Sequence, residues 1–220
     1  MNKSEWASLQ NGSDIRGIAT EGVVGESVNL TPLIVEKIAL AFVSWLTQKK
    51  NLTADKLTIA IGRDSRISGP TLMEAFIKGI LSTGANSVCC GITSTPAMYM
   101  STIFENTRYD GAVMLTASHL PYNRNGIKFF TSDGGLEKND ITRILELAAS
   151  NAKYVGKKPG TASHFDLISV YSQFLVTTIR QKVNDPRHFN TPLRGFHIVV
   201  DAGNGSGGFF VDKVLQPLGA

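Results

Sequence analysis

The chain has 220 residues, 42% of them hydrophobic, and carries 22 Lys and Arg against 18 Asp and Glu, a net charge of +4. That size and apolar content suffice for a packed core in one large domain, or in one and a half ordinary ones, and exclude a low-complexity chain. The mild positive excess suits an anionic small molecule. The absence of a dense Lys/Arg cluster with interleaved aromatics argues against nucleic acid, and the apolar stretches are too short for a membrane span.

Met1 to Gln10 shows neither an apolar signal core nor an Arg/Ser-rich transit pattern. The two cysteines, Cys89 and Cys90, are neighbours in an apolar stretch. Adjacent Cα atoms lie ~3.8 Å apart, too close for ordinary disulfide geometry, so buried free thiols in a reducing compartment are expected. Their spacing is not that of a metal site. Together these features predict an intracellular protein in the cytoplasm, or in a plastid where a transit peptide has been removed.

Residues 11–30 are rich in Gly and charge and read as a loop entering a short strand, with Asp14, Arg16 and Gly17 in Asn11-Gly12-Ser13-Asp14-Ile15-Arg16-Gly17. Thr31-Pro32 marks a helix start, a capping hydroxyl followed by proline at the first helical position. Ile34, Ile38, Ala41, Phe42 and Trp45 follow at helical spacing, and their aromatics belong to the core. Lys49-Lys50 and Lys157-Lys158 read as solvated helix ends or linkers.

Leu57 to Ile61 reads as a buried strand, ending in Gly62-Arg63-Asp64-Ser65-Arg66. Ser68 and Pro70 open a helix that Gly84 stops. Ser87 to Gly91 is the next strand, Thr95-Pro96 the next helix start, and Gly111 to Leu115 a strand feeding Thr116-Ala117-Ser118-His119-Leu120-Pro121. Residues 137–151 look helical and Lys153 to Ala162 reads as a linker. A long helix carries Ile168, Tyr171, Leu175 and Ile179 and ends at Asp185-Pro186. Phe196 to Val200 reads as a new buried strand before Asp201-Ala202-Gly203-Asn204-Gly205 and a helix-like tail.

This alternation predicts an α/β fold, with βαβ units on a mixed, mostly parallel sheet, followed by the first βα unit of a second α/β domain. The boundaries expected are 1–188 for the first domain and 189–220 for an incomplete second one. In such a sheet successive strands end on one edge, so the loops at Arg63 and Ser118 should be neighbours.

Gly203-x-Gly205-x-x-Gly208 has the form of a dinucleotide-binding turn, but the confirming acidic residue, ~20 positions onward, would lie beyond Ala220, and a lone glycine pattern is a weak signal. Four other loops carry a stronger signal. They bring Arg16, Arg63, Arg66 and Lys128 near a serine with a neighbouring imidazole, Ser118-His119. Three guanidiniums and an ammonium suit phosphate handling. A hydrolase serine needs glycine two residues to either side, where this chain has Thr116 and Leu120.

Ser13-Asp14-Ile15-Arg16-Gly17, Gly62-Arg63-Asp64-Ser65-Arg66, Thr116-Ala117-Ser118-His119-x-Pro121, Asn125-Gly126-Ile127-Lys128 and Asp201-Ala202-Gly203-Asn204-Gly205 resemble, in identity and order, the α-D-phosphohexomutases. This is the phosphoglucomutase/phosphomannomutase/phosphoglucosamine mutase superfamily. The wording around Leu9 to Asp14 and Ser118 to Tyr122 is similar to that of its plant and algal branch.

The resemblance implies an intramolecular phosphotransferase that interconverts hexose 1-phosphate and hexose 6-phosphate. Ser118 would be a phosphoserine and the reaction would pass through a hexose 1,6-bisphosphate, which also serves as activator. It further implies Mg²⁺ on the serine phosphate, Lys128 as general base, His119 as acid/base partner, and Arg16 in the catalytic set. Arg63, Asp64, Arg66 and Asn125 would support the substrate or the phosphate loop. A loose phosphoryl-transfer transition state needs such positioning and charge neutralisation more than covalent help.

Two departures stand out. Leu120 replaces the family's commoner Asn, and the family's Asp-Gly-Asp-x-Asp-Arg metal loop does not occur in the 220 residues, leaving Ser118 as the one metal ligand present. The expectation is an N-terminal part without mutase turnover on its own. The alternative is a non-catalytic sugar-phosphate-binding remnant of the same fold. Neither the hexose nor the oligomeric state is legible.

Overall fold

The computed structural model describes residues 2–150, 156 and 158–220. The linker read at Lys153 to Ala162, the last residue of the helix read over 137–151, and Lys157 lie wholly or partly outside these residues. Among the described residues one sheet holds β1 (Gln10–Asn11), β2 (Asp14–Ile18), β3 (Thr58–Arg63), β4 (Asn86–Ile92), β5 (Gly111–Leu115), β6 (Arg124–Thr131), β7 (Gly134–Gly135) and β8 (Ala162–His164). The helices are α1 (Lys3–Ser8), α2 (Pro32–Lys50), α3 (Gly69–Ser82), α4 (Thr95–Met100), α5 (Lys138–Ala149) and α6 (Leu167–Val183).

The strand order is β1-β2-β6-β5-β3-β4-β8, with β7 paired to β6. The mixed α/β sheet read from the sequence is present. Its parallel part is β5-β3-β4-β8, built from the apolar runs that alternate with helices. β6 returns beside β5 without a crossover helix, so β1, β2, β6 and β7 pair antiparallel. The antiparallel share therefore exceeds what the alternation alone predicts.

Side-chain alternation divides the sheet into two faces. Ile59, Ile61, Val113, Leu115, Ile127 and Phe129 form one core with residues of α1, α2, α3 and α5. Phe129 sits centrally there, its ring 4.7 Å from Phe42 and 6.2 Å from Phe76. Ala60, Ala112, Met114, Val88 and Cys90 form the second core with α4 and α6. Helix α2 starts as read, with the Thr31 hydroxyl accepting from the Ile34 N–H and Pro32 in the first turn. The Phe42 and Trp45 stripe is buried as expected.

Three local features add to or change these readings. Residues Lys3–Ser8 form a capped helix, with the Asn2 side chain accepting from the Glu5 N–H. Ser68 does not cap α3 with its side chain; its hydroxyl accepts a bond from Asn125 instead. Lys50 is not a solvated helix end, because its ammonium lies 3.0 Å from the Asp110 carboxylate.

The largest change concerns Phe196 to Val200. No strand forms there, and Phe196 is 64% and Val199 86% exposed. An apolar run becomes a buried strand only where a sheet edge pairs with it and a layer covers it. Neither is present among the described residues. Beyond it, 206–218 forms short turns of 3₁₀ and π helix, so the strand–turn–helix context that a dinucleotide site needs is missing. Val214 and Leu218 pack this tail against Val176 of α6.

Candidate active site

The expected proximity of the Arg63 and Ser118 loops is observed. The chain leaves β3 toward α3 on one face, while β5 is reached through α4 on the other. The carboxyl ends of these adjacent strands therefore form a switch point, where open α/β sheets bind ligands. The Asp64 N–H donates to the Leu115 carbonyl at 3.0 Å and ties the two loops at their roots.

Ser118 has a left-handed backbone, φ 56°, at an exposed position. For an L-residue that conformation costs roughly 1 kcal/mol and persists only where neighbours enforce it. The enforcement is visible. The Ser118 N–H donates to Thr116 Oγ1 at 3.0 Å, and the Thr116 hydroxyl donates to Asp64 Oδ2 at 2.7 Å.

Arg66 does the rest. Its Nη2 donates to the carbonyls of Ser118 at 2.9 Å and Leu120 at 2.7 Å, and its Nη1 to those of Pro121 at 2.7 Å and Arg124 at 3.0 Å. Its Nε donates to Asp64 Oδ2 at 3.2 Å. A guanidinium has five N–H donors, and all five are engaged. Arg66 is therefore a brace for the serine loop and has no donor left for a phosphate.

Arg63 has a similar structural part. It is the last residue of β3, and its guanidinium donates to the Asp64 carbonyl at 3.0 Å. Asn125 is wholly buried, donating to Ser68 Oγ at 2.9 Å and accepting from the Gly126 N–H. It fixes β6 to the root of α3 and does not reach solvent. Asp64 is the hub of these loops: Oδ1 accepts the Arg66 N–H, while Oδ2 accepts Arg66 Nε and Thr116 Oγ1.

A cavity of about 420 Å³ opens over the loop, lined among others by Ser118, His119, Asp64, Arg66, Gly205 and Ser206. Arg16 and Lys128 are not part of that lining. They meet on β2 and β6 around the buried Asp14, whose Oδ2 lies 2.5 Å from Lys128 Nζ and 3.0 Å from Arg16 Nη2. Lys128 pairs across the ladder with Met114, which does line the cavity, so the charge cluster and the cavity share one sheet face. Gly126 makes room for this arrangement. A Cβ there would stand 2.6 Å from the Ile15 carbonyl, 2.8 Å from that of Thr116 and 3.1 Å from Arg16 Cγ. Arg16 Nε is buried without a partner among the described residues.

Thr116, Asp14 and Gly126 are parts of the site that residue type alone does not single out. The available signals are a hydroxyl two residues before the serine, and Asp14 alternating with Arg16 on one strand face.

Ser118 Oγ and the His119 ring accept and donate no hydrogen bond among the described residues, so no serine–histidine relay is assembled. No group of three His, Cys, Asp or Glu side chains converges there either. With both Asp64 oxygens engaged, these residues do not by themselves make a magnesium site. Burial, and then the neighbouring Cys89, push the Cys90 thiol up to about 12, which leaves it inert at neutral pH.

A braced serine thus stands at a strand-end switch point of a sheet covered by helices on both faces, on the same sheet face as the cation cluster around Asp14. The family pattern for phosphoglucomutase/phosphomannomutase, alpha/beta/alpha domain I, matches residues 7–155, and the chain belongs to this family. Among curated relatives, the phosphoglucosamine mutase of Helicobacter acinonychis is 35% identical over 208 residues, 91% of this chain and 44% of that protein. The phosphoglucomutase of Neisseria meningitidis is 30% identical over 206 residues, 94% of this chain and 39% of that protein. The chain thus spans less than half the length of these relatives. A Burkholderia thailandensis protein of the phosphoglucomutase/phosphomannomutase family shares the fold, with TM-score 0.63 and 22% identity over 80% of this chain and 36% of that one. No described helix is long and apolar enough to cross a membrane.

Proposed function

We propose that this chain is the phosphoryl-carrying part of a hexose-phosphate mutase, with Ser118 taking and returning the phosphoryl group. The observation that carries the reading is Ser118 itself. It is exposed, held at φ 56°, and fixed by the Arg66 bonds to the carbonyls of Ser118, Leu120, Pro121 and Arg124 and by the Thr116–Asp64 pair rather than by a catalytic base. A hydroxyl that serves as a standing phosphoryl carrier needs a fixed position and nearby positive charge more than a relay to activate it.

The step balances without a further reactant. Ser118 Oγ attacks one phosphorus of a hexose 1,6-bisphosphate and its proton passes to the departing sugar oxygen or solvent. The P–O bond to the sugar breaks, and a hexose monophosphate leaves. In the reverse step the hydroxyl of a hexose monophosphate attacks the phosphoserine, the Ser118 Oγ–P bond breaks, and giving to one sugar oxygen after taking from the other completes a 1-to-6 exchange. Arg16, Lys128, Arg63 and Arg66 set four cations against the carboxylates of Asp14 and Asp64. Arg16 and Arg63 each keep a buried Nε without a partner among the described residues, which suits them to an incoming anion. Lys128 is positioned by its Asp14 pairing, and His119, at the exposed rim, is the acid/base group nearest Ser118 in sequence.

When bound, Mg²⁺ would neutralise charge on the phosphoryl oxygens. Ser118, through its phosphate, is the group here that would meet it. We also read residues 1–188 as the serine-bearing domain and 189–220 as the first part of a second one. The unpaired apolar run at Phe196 to Val200 supports that division.

The test is a stoichiometric burst. Hexose 1,6-bisphosphate with Mg²⁺ should release a single equivalent of hexose monophosphate per chain, without turnover, and Ser118→Ala should abolish it. A wild-type chain that binds the bisphosphate but releases nothing would favour the sugar-phosphate-binding remnant instead.

A further inference from the structure

The serine loop is held from two sides, and only one of them belongs to the machinery described above. The second is Glu26, in the long loop between β2 and α2. Glu26 Oε2 accepts from Asn123 Nδ2 at 2.6 Å, and Oε1 pairs with the Arg124 guanidinium. The same stretch is stitched to this loop by backbone bonds, since the Asn123 carbonyl accepts from the Ala19 and Thr20 N–H groups at 2.8 and 3.1 Å. Close packing continues outward, where a Cβ on Gly22 would stand 2.7 Å from the Tyr122 hydroxyl. Residues 121–124 are thus gripped by Arg66 at their carbonyls and by Glu26 at their side chains.

We propose that Glu26 is a positioning residue for phosphoryl transfer, setting the exit of the serine loop as Arg66 sets its interior. Exposed ion pairs are worth little, about 0–1 kcal/mol, and a single Glu26–Arg124 contact would count for no more. The case differs because the same carboxylate also satisfies Asn123, which is 1% exposed. Removing Glu26 leaves that buried amide unpaired and frees the far end of the segment whose carbonyls Arg66 holds. The Glu26 side chain holds two residues, Asn123 and Arg124, at the exit of the loop and belongs to neither hydrophobic core, so its loss should loosen the loop and spare the rest of the sheet.

The chemical half of this inference rests on the phosphoryl-carrier reading; the structural half does not. The experiment therefore has two readouts on the whole 220-residue chain. Amide hydrogen exchange of residues 117–124 in Glu26→Ala should rise about tenfold or more, as loss of a charge-assisted bond implies, while α2 and β3–β5 stay unchanged. Glu26→Gln, which keeps an acceptor for Asn123 but loses the charge toward Arg124, should fall between wild type and Glu26→Ala. The single-turnover rate of Ser118 phosphorylation by hexose 1,6-bisphosphate should drop by a similar factor at saturation, with the half-saturating concentration little changed.

Loop exchange equal to wild type in Glu26→Ala overturns the proposal. So does a uniform rise across all elements, which would make Glu26 an ordinary stability residue. A wild-type chain that takes up no phosphate refutes the carrier reading, and the loop exchange still decides the role of Glu26.

Discussion

The serine loop and the glycine-rich segment at 201–208 look alike as sequences. Each follows an apolar run, and each is a string of small and polar residues. In the fold they are opposites. The serine loop follows a strand paired on both sides and is held by contacts from residues more than 50 positions away, Asp64 and Arg66. The Gly203 turn follows the exposed Phe196–Val200 run and closes on itself, with the Gly205 N–H donating to the Ala202 carbonyl and the Gly203 N–H to Asp201 Oδ1. Both segments border the cavity over Ser118, but distant parts of the chain fix the serine loop, whereas local turn chemistry alone holds the glycine turn.

That contrast can be broken in graded ways. The largest effect should come from Phe129→Ala. It removes a ring from the centre of the core under β5 and should cost about 3–5 kcal/mol in denaturant unfolding, whereas Phe196→Ala should stay within about 0.5 kcal/mol. Equal costs would mean that the 196–200 run is buried in solution.

Arg66→Ala should come next, at about 1–3 kcal/mol, since several charge-assisted bonds to exposed and half-buried carbonyls are lost together. Its hydrogen-exchange signature should centre on 116–124. Arg66→Lys should rescue little, because a point charge cannot replace a five-donor fork.

A smaller effect of opposite sign is expected at the serine. Ser118→Gly should raise stability by about 0.5–1 kcal/mol, because glycine adopts positive φ without penalty. A melting temperature below wild type would contradict the strained carrier geometry.

The remaining effect is a pH dependence confined to alkaline conditions. The folded Cys90 thiol lies at about 12 against an ordinary 9.0, raised by burial. The folded state therefore holds its proton more tightly. The contribution is fully present below pH 9 and is lost as pH rises from 9 toward about 12. Unfolding free energies of wild type and Cys90→Ala measured across that range should converge as pH increases.

Much of the fold was legible from sequence because its main elements announce themselves locally. Thr31-Pro32 caps and starts α2, the runs at 87–91 and 111–115 fall within β4 and β5, and that at 57–61 overlaps β3 from Thr58 on. The exceptions depend on partners that sequence does not reveal. Residues Ala162–His164 form a strand because the edge of β4 is available, and 196–200 does not because no edge is.

The site divides in the same way. Ser118, His119 and the cations could be named by residue type. That Arg66 serves carbonyls rather than phosphate, that Asp14 joins Arg16 to Lys128, and that Glu26 grips Asn123 are facts of long-range geometry.

The most direct measurement is tandem mass spectrometry of the chain after incubation with hexose 1,6-bisphosphate and Mg²⁺. A single phosphoryl group located on Ser118, and absent from Ser118→Ala, is the predicted result. An unmodified Ser118 in a folded chain, or a phosphate that persists in Ser118→Ala, would contradict the account.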